Sequence, residues 1–121
     1  MIREGVINLR IYESIFILRP SLTDEEVEKV IAKMKGVIER SGGEVLNTEN
    51  WKKRRLAYEV EREKKGVYIL LQFKGDGKLI NELERAYKIE DSVIKYLSIK
   101  LDGIKPLKAA KEAVPEEKKE G

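Results

Sequence analysis

Three runs of β-branched and aromatic residues and one long, partly polar extended stretch are interleaved with two segments whose apolar residues recur at helical spacing, in the order βαββαβ. A glycine pair closes the first helical segment, and Gly75-Asp76-Gly77 opens the second. That order predicts an α+β fold of the ferredoxin-like, split βαβ kind: a four-stranded antiparallel sheet with two helices on one face. Right-handed crossovers put both helices on the same side.

Each element has its own signal. Ile11 to Leu18 (IYESIFIL), bounded by Arg19-Pro20, reads as the first strand. Thr23 with Glu26 three residues later is a capping box, and Leu22 before it can staple the first turn. Val27, Val30, Ile31, Met34 and Ile38 then form one apolar stripe. Gly42-Gly43 stops that helix. Glu44 to Val60 is extended and partly polar, Glu61 to Lys65 is charged and turn-like, and Val67 to Phe73 (VYILLQF) is strongly strand-like. Together they predict a long β-hairpin. Asp76 is the N-cap of the second helix, whose apolar face is Leu79, Ile80, Leu83 and Tyr87. Glu90-Asp91 reads as a turn, and Val93 to Leu101 (VIKYLSIKL) as the last strand. The folded domain is thus expected over 10–101. Residues 1–9 read as an N-terminal extension. Residues 102–121, rich in Lys, Glu and Ala with Pro106 and Pro115, read as a mobile tail with too little apolar surface to pack.

At 121 residues the chain is one domain's worth. It has no Cys and no His, which removes disulfides, thiolate chemistry and the usual general base. Nothing resembles a signal peptide, and no apolar run approaches the roughly 20 residues that cross a bilayer. A soluble, cytoplasmic protein is expected, with no membrane partner. Charged residues make up 39% of the chain, yet the net charge is only +3. The excess is local: Lys52 to Lys65 holds seven basic residues against three acids, so this segment carries +4 and the remainder −1.

Two features point outward. In the first strand Tyr12, Phe16 and Leu18 alternate with Ile11, Ile15 and Ile17; in the third, Val67, Ile69, Leu71 and Phe73 alternate with Tyr68 and Leu70. Successive side chains face opposite ways, so both sheet faces are apolar, while helices cover only one. Either loops or the tail cover the second face, or another molecule docks there; the tail's polarity favours docking. The second feature is Trp51-Lys52-Lys53-Arg54-Arg55-Leu56-Ala57-Tyr58, four consecutive cations beside an aromatic. This suits a phosphate-rich surface, and equally an edge strand that charge protects from pairing. In an extended strand Lys52 and Arg54 point opposite to Lys53 and Arg55, so one surface cannot use all four equally.

Sheet-face reading of single-stranded bases is not expected. The stretch Lys65-Gly66-Val67-Tyr68-Ile69 has the basic residue and glycine of an RNA-recognition pattern, but Val67 and Ile69 stand where stacking rings belong. RNA, if bound, is bound by phosphate and shape. Catalysis is not expected either: Gly75-Asp76-Gly77-Lys78 is too short for a P-loop, and Glu25-Glu26 sits at a solvated helix start. No cofactor, metal or small-molecule substrate is implied.

Over about Arg10 to Leu101 the chain resembles the bacterial small-subunit ribosomal protein numbered six. The resemblance rests on Tyr12-Glu13, Leu18-Arg19-Pro20, Gly42-Gly43, Arg54-Arg55-Leu56-Ala57-Tyr58, Gly66-Val67-Tyr68 and Ile94, in order and spacing. The chain departs from the family at Lys52, where Trp-Gly is common, and at Glu59, where a proline is common. The resemblance implies a ferredoxin-like fold. It also implies a structural, cytoplasmic component of the small ribosomal subunit that binds the central domain of its RNA with the small-subunit protein numbered eighteen. Arg54 and Arg55 match the family motif directly. Lys52 and Lys53 follow from charge, and Arg10 and Lys100 are secondary RNA-contact candidates. Trp51, Leu56, Tyr58, Ile15 and Ile17 are the protein-partner candidates, the first three also as shapers of the hairpin. The alternative is a ferredoxin-like regulatory or ligand-sensing domain that self-associates through its sheet.

Overall fold

The computed structural model describes residues 10–101. The expected extension and tail lie outside the described residues. The order is β1 (Arg10–Leu18), α1 (Asp24–Arg40), β2 (Glu44–Val60), β3 (Glu63–Gly75), α2 (Gly77–Ile89) and β4 (Val93–Leu101). The strands form one antiparallel sheet ordered β2-β3-β1-β4. Each βαβ half therefore leaves a gap one strand wide, which a strand of the other half fills.

The helix boundaries follow from their caps. The Thr23 hydroxyl accepts from the Glu26 amide at 3.1 Å, and the Glu26 carboxylate accepts from the Thr23 amide at 2.9 Å. At the other end of α1 the Gly42 amide donates to the Glu39 carbonyl and the Gly43 amide to the Ile38 carbonyl. This Schellman pairing needs a left-handed residue after the cap, and Gly42 supplies it at φ 90°. In α2 the Asp76 carboxylate accepts from the Leu79 amide at 3.1 Å.

The main core lies between the helices and one sheet face. Phe16 and Leu18 of β1 and Val67, Ile69, Leu71 and Phe73 of β3 meet the α1 stripe and Leu79, Leu83 and Tyr87 of α2. Ser14 is fully buried on the same face. Its hydroxyl hydrogen-bonds the Tyr87 hydroxyl at 2.7 Å and accepts from the Ser98 hydroxyl at 3.1 Å, tying α2 to β1 and β4. Tyr87 also packs against Phe16 and Tyr96, with ring centroids 5.0 and 5.1 Å away.

The hairpin departs from the sequence expectation. Strand β3 begins at Glu63, so the turn is only Glu61-Arg62 rather than Glu61 to Lys65. Both residues are left-handed, at φ 50° and 68°. Two left-handed positions define the two-residue turn whose twist matches that of the flanking strands, and here neither is glycine. The pairing shifts between Val45 and Asn47, between Asn50 and Lys52, and between Arg55 and Val60. Extra residues on one strand bend it and raise its twist. The distal part of β2 consequently leaves the plane and curls over the second sheet face.

Candidate nucleic-acid interface

The curl builds a second, smaller core on the face the helices leave open. It comprises Ile15, Ile17, Leu56, Tyr68, Leu70 and Ile94, with Trp51, Val60 and Leu97 against it. Gly66 makes the close approach possible, since a Cβ there would collide with Ile17 Cγ2. The expectation that this face stands uncovered is corrected. Ile15 and Ile17, offered as partner contacts, are each 2% exposed, because the same chain supplies apolar neighbours for them. Leu56 is likewise buried. Tyr58 remains 54% exposed, with its hydroxyl accepting from Lys95 Nζ of β4 at 2.7 Å. Trp51 is half-buried.

Trp51 organises the start of the basic run. Its ring stacks on Tyr68 at 6.3 Å and 17°, and its Nε1 donates to the Glu49 carboxylate at 2.8 Å. The Arg54 guanidinium lies over the same ring, 5.5 Å from its centroid, and its Nε donates to the Trp51 carbonyl. Arg54 is thereby held over an aromatic ring while it stays exposed to solvent. Lys52 occupies the bulge with φ 68°, and its amide donates to the Asn50 side-chain carbonyl at 2.8 Å. A glycine adopts that backbone without strain, which explains why Trp-Gly suits this corner. This chain keeps a cation there instead.

Lys52, Lys53, Arg54 and Arg55 are all exposed. The register adds one residue that inspection of the run missed: Lys65 lies directly opposite Arg55 and is also exposed. Like charges facing each other across a strand pair are unfavourable unless an anion sits between or above them. The signal was present in the hairpin pattern but needed the exact pairing. Arg10 and Lys100 are exposed too, yet they sit elsewhere. Lys53 faces Val67 and Arg10 faces Gly75. Those eight steps of β3 separate them by roughly 27 Å. The six candidate cations therefore fall into two groups at opposite ends of the sheet, and the concentrated one is on the hairpin.

A second residue escaped notice as a site former. Arg19, just past β1, donates from Nη2 to Glu61 at 2.9 Å, from Nη1 to Glu63 at 3.4 Å and from Nε to the Asp91 carbonyl at 3.1 Å. One side chain thus grips the hairpin turn from the base of the sheet.

A ferredoxin-like plait with one face covered by helices, the other by its own hairpin, and an exposed cation cluster on that hairpin presents the surface of a binding module. Comparison with known proteins makes this specific. Residues 11–100 match the family described as Ribosomal protein S6, and the chain belongs to that family, whose members are structural and non-enzymatic. The small ribosomal subunit protein bS6 of Thermoanaerobacter pseudethanolicus is 44% identical over 94 residues, which cover 78% of this chain and 99% of that one. That of Clostridium acetobutylicum is 45% identical over 91 residues, covering 75% and 96%. The crystal structure of 30S ribosomal protein S6 from Thermotoga maritima superposes with a TM-score of 0.74 at 29% identity, over 87% of this chain and 94% of that one. An uncharacterized protein of Thermotoga maritima, at 16% identity and a TM-score of 0.51, shares the fold alone. Family membership replaces the alternative of a self-associating sensor domain and carries a ribosomal, cytoplasmic location.

Proposed function

We propose that this protein binds the central domain of small-subunit ribosomal RNA through its basic hairpin, together with the small-subunit protein numbered eighteen. The observation that carries the reading is the exposed cation cluster Lys52 to Arg55 with Lys65 opposite, mounted on a hairpin that the Trp51–Tyr68 stack and Leu56 anchor to the sheet. Cations on an anchored hairpin neutralise phosphates without the added cost of ordering the backbone, and they read backbone shape rather than base identity. Arg54, held over Trp51 and exposed, offers its guanidinium donors to a phosphate.

The family resemblance is what supports that partner, and Tyr58 is the partner candidate most exposed to receive it. Arg10 and Lys100 stand as a separate, secondary contact group at the far end of the sheet.

The test is a salt titration of assembly on a central-domain RNA fragment, with the partner protein saturating. Replacing Lys53, Arg54 and Arg55 together by Gln removes about three phosphate contacts. The slope of log affinity against log salt should flatten by about two to three units. An unchanged slope with intact binding moves the RNA contact away from the hairpin, first toward Arg10 and Lys100.

A further inference from the structure

Three connections meet at one end of the sheet: the β1–α1 loop, the β2–β3 turn and the α2–β4 turn. Arg19 joins them. Its backbone amide donates to the Ser92 carbonyl at 2.9 Å, and its Nε donates to the Asp91 carbonyl at 3.1 Å, fixing the residue against the α2–β4 turn. Its two terminal nitrogens then reach Glu61 Oε1 at 2.9 Å and Glu63 Oε2 at 3.4 Å, on either side of Arg62. All three guanidinium nitrogens are used, which only a planar fork permits.

The turn it grips has reason to need gripping. Glu61 and Arg62 are both left-handed without being glycine, a conformation that disfavours ordinary side chains. From Leu56 to Glu59 the β2 chain has left the β3 ladder, which resumes only at Val60 opposite Glu63. That span is held by Leu56, by the Tyr58–Lys95 contact and by whatever fixes the turn beyond it. The basic run lies immediately before this span.

We propose that Arg19 is a positioning residue for RNA binding: by clamping Glu61 and Glu63 to the base of the sheet it fixes the curl of the hairpin and hence the placement of Lys52 to Arg55. The proposal rests on the hairpin being the RNA surface. Arg19 itself touches no phosphate. Releasing the clamp spreads the hairpin over several poses, and apparent affinity falls by the fraction that remains competent.

Assembly on the central-domain RNA fragment, with the partner protein saturating, is measured for Arg19→Gln, Arg19→Lys and the Glu61→Gln/Glu63→Gln double variant. The anisotropy of Trp51, the single tryptophan, reports the hairpin. Arg19→Gln should weaken binding by about three- to tenfold with an unchanged salt slope, and should lower Trp51 anisotropy. Arg19→Lys, which keeps the charge but not the fork, should not restore it. The double variant also keeps the proposal testable if Arg19→Gln fails to fold. It removes two negative charges, so plain electrostatics would tighten binding, whereas loss of the clamp weakens it. Unchanged affinity in Arg19→Gln, full recovery in Arg19→Lys, or tighter binding by the double variant would each overturn the proposal. So would a slope flattened by about 0.7 to 0.9, the signature of a direct phosphate contact. If instead the Lys53, Arg54 and Arg55 triple variant leaves the slope intact, the hairpin is not the RNA surface, and the positioning role falls with it.

Discussion

The two faces of the sheet are both apolar, and they are covered in different ways. The helix face is closed by α1 and α2, whose stripes, caps and stops are local features of the sequence. The other face is closed by the distal part of β2, which reaches it only through three register shifts and a left-handed Lys52. One cover is two helices thick. The other is thin and carries the cation cluster, so on the proposed function it would join binding to folding. Substitutions under the helix face should then change stability with little effect on RNA affinity, whereas those under the hairpin should change both.

The largest expected effect lies on the helix face. Leu83 is fully buried between α2 and the sheet, so Leu83→Ala should cost about 3 kcal/mol. Leu56 is buried on the hairpin face, at 7% exposure, and Leu56→Ala should cost less, about 2 kcal/mol. Denaturant unfolding gives both numbers. The comparison sharpens if RNA assembly is measured alongside: Leu56→Ala should weaken it more than Leu83→Ala, at a temperature where both remain folded. The reverse ranking would mean that the hairpin cover does not set the binding surface.

How much of this was legible follows from the distance along the chain over which each feature is decided. The capping box at Thr23 and Glu26, the Asp76 cap, the stop at Gly42-Gly43 and the bounds of β4 depend on neighbours a few residues apart, and the sequence displays them. The hairpin turn was read too long because Glu63, Lys64 and Lys65 are charged, although charge on an exposed strand is no obstacle to pairing. The cover of the second face was not legible, since Leu56 over Ile17 requires knowing where β2 bends. Arg19 was visible as a motif residue, but its contacts with Glu61, Glu63 and Asp91 span 42, 44 and 72 positions. The cation run itself was plain; that Lys65 belongs beside Arg55 needed the register.

The buried polar network belongs to the helix face and offers a pH handle on it. Tyr87→Phe removes one partner of the Ser14 hydroxyl and should cost about 1 to 1.5 kcal/mol, with Ser98 still bonded to Ser14. Burial pushes the Tyr87 phenol well above its ordinary value of 10.0. The folded state therefore holds this proton more tightly than the unfolded state. Its contribution is complete below about pH 10 and is lost as pH rises beyond it. Stability should fall more steeply above that pH in the parent than in Tyr87→Phe. Parallel alkaline profiles would show that the phenol is not what the helix face loses.

On the hairpin face the corresponding change should stabilise. Lys52→Gly relieves a left-handed lysine but adds chain freedom when unfolded, for a net gain of about 0.5 to 1 kcal/mol. The same change deletes one exposed cation, so the salt slope of RNA assembly should flatten by at most about one unit. Higher stability with no poorer binding would show that Lys52 contributes nothing to the RNA surface.

The smallest expected effect tests whether the helix side carries a surface charge link comparable to the Arg19 clamp. Lys33 of α1 donates to Glu90, at the end of α2, at 2.6 Å. The Lys33 hydrogen bond holds the Glu90 carboxyl below its ordinary value of 4.5, against a smaller opposing effect of burial. A carboxylate favoured in this way stabilises the fold above about pH 4.5, and the contribution disappears as pH falls through its lowered folded value. The pair is solvent-accessible on the lysine side, where screening leaves about 0.5 kcal/mol. Glu90→Gln should therefore lower stability by about that amount at neutral pH, and the parent and variant should converge as pH falls through the lowered carboxyl value. It should leave RNA assembly unchanged, because Glu90 bonds Lys33 and the turn residue Ser92 but neither the Arg19 guanidinium nor the hairpin. If Glu90→Gln weakened assembly as Arg19→Gln is expected to, the α2–β4 turn rather than the guanidinium fork would be what places the hairpin.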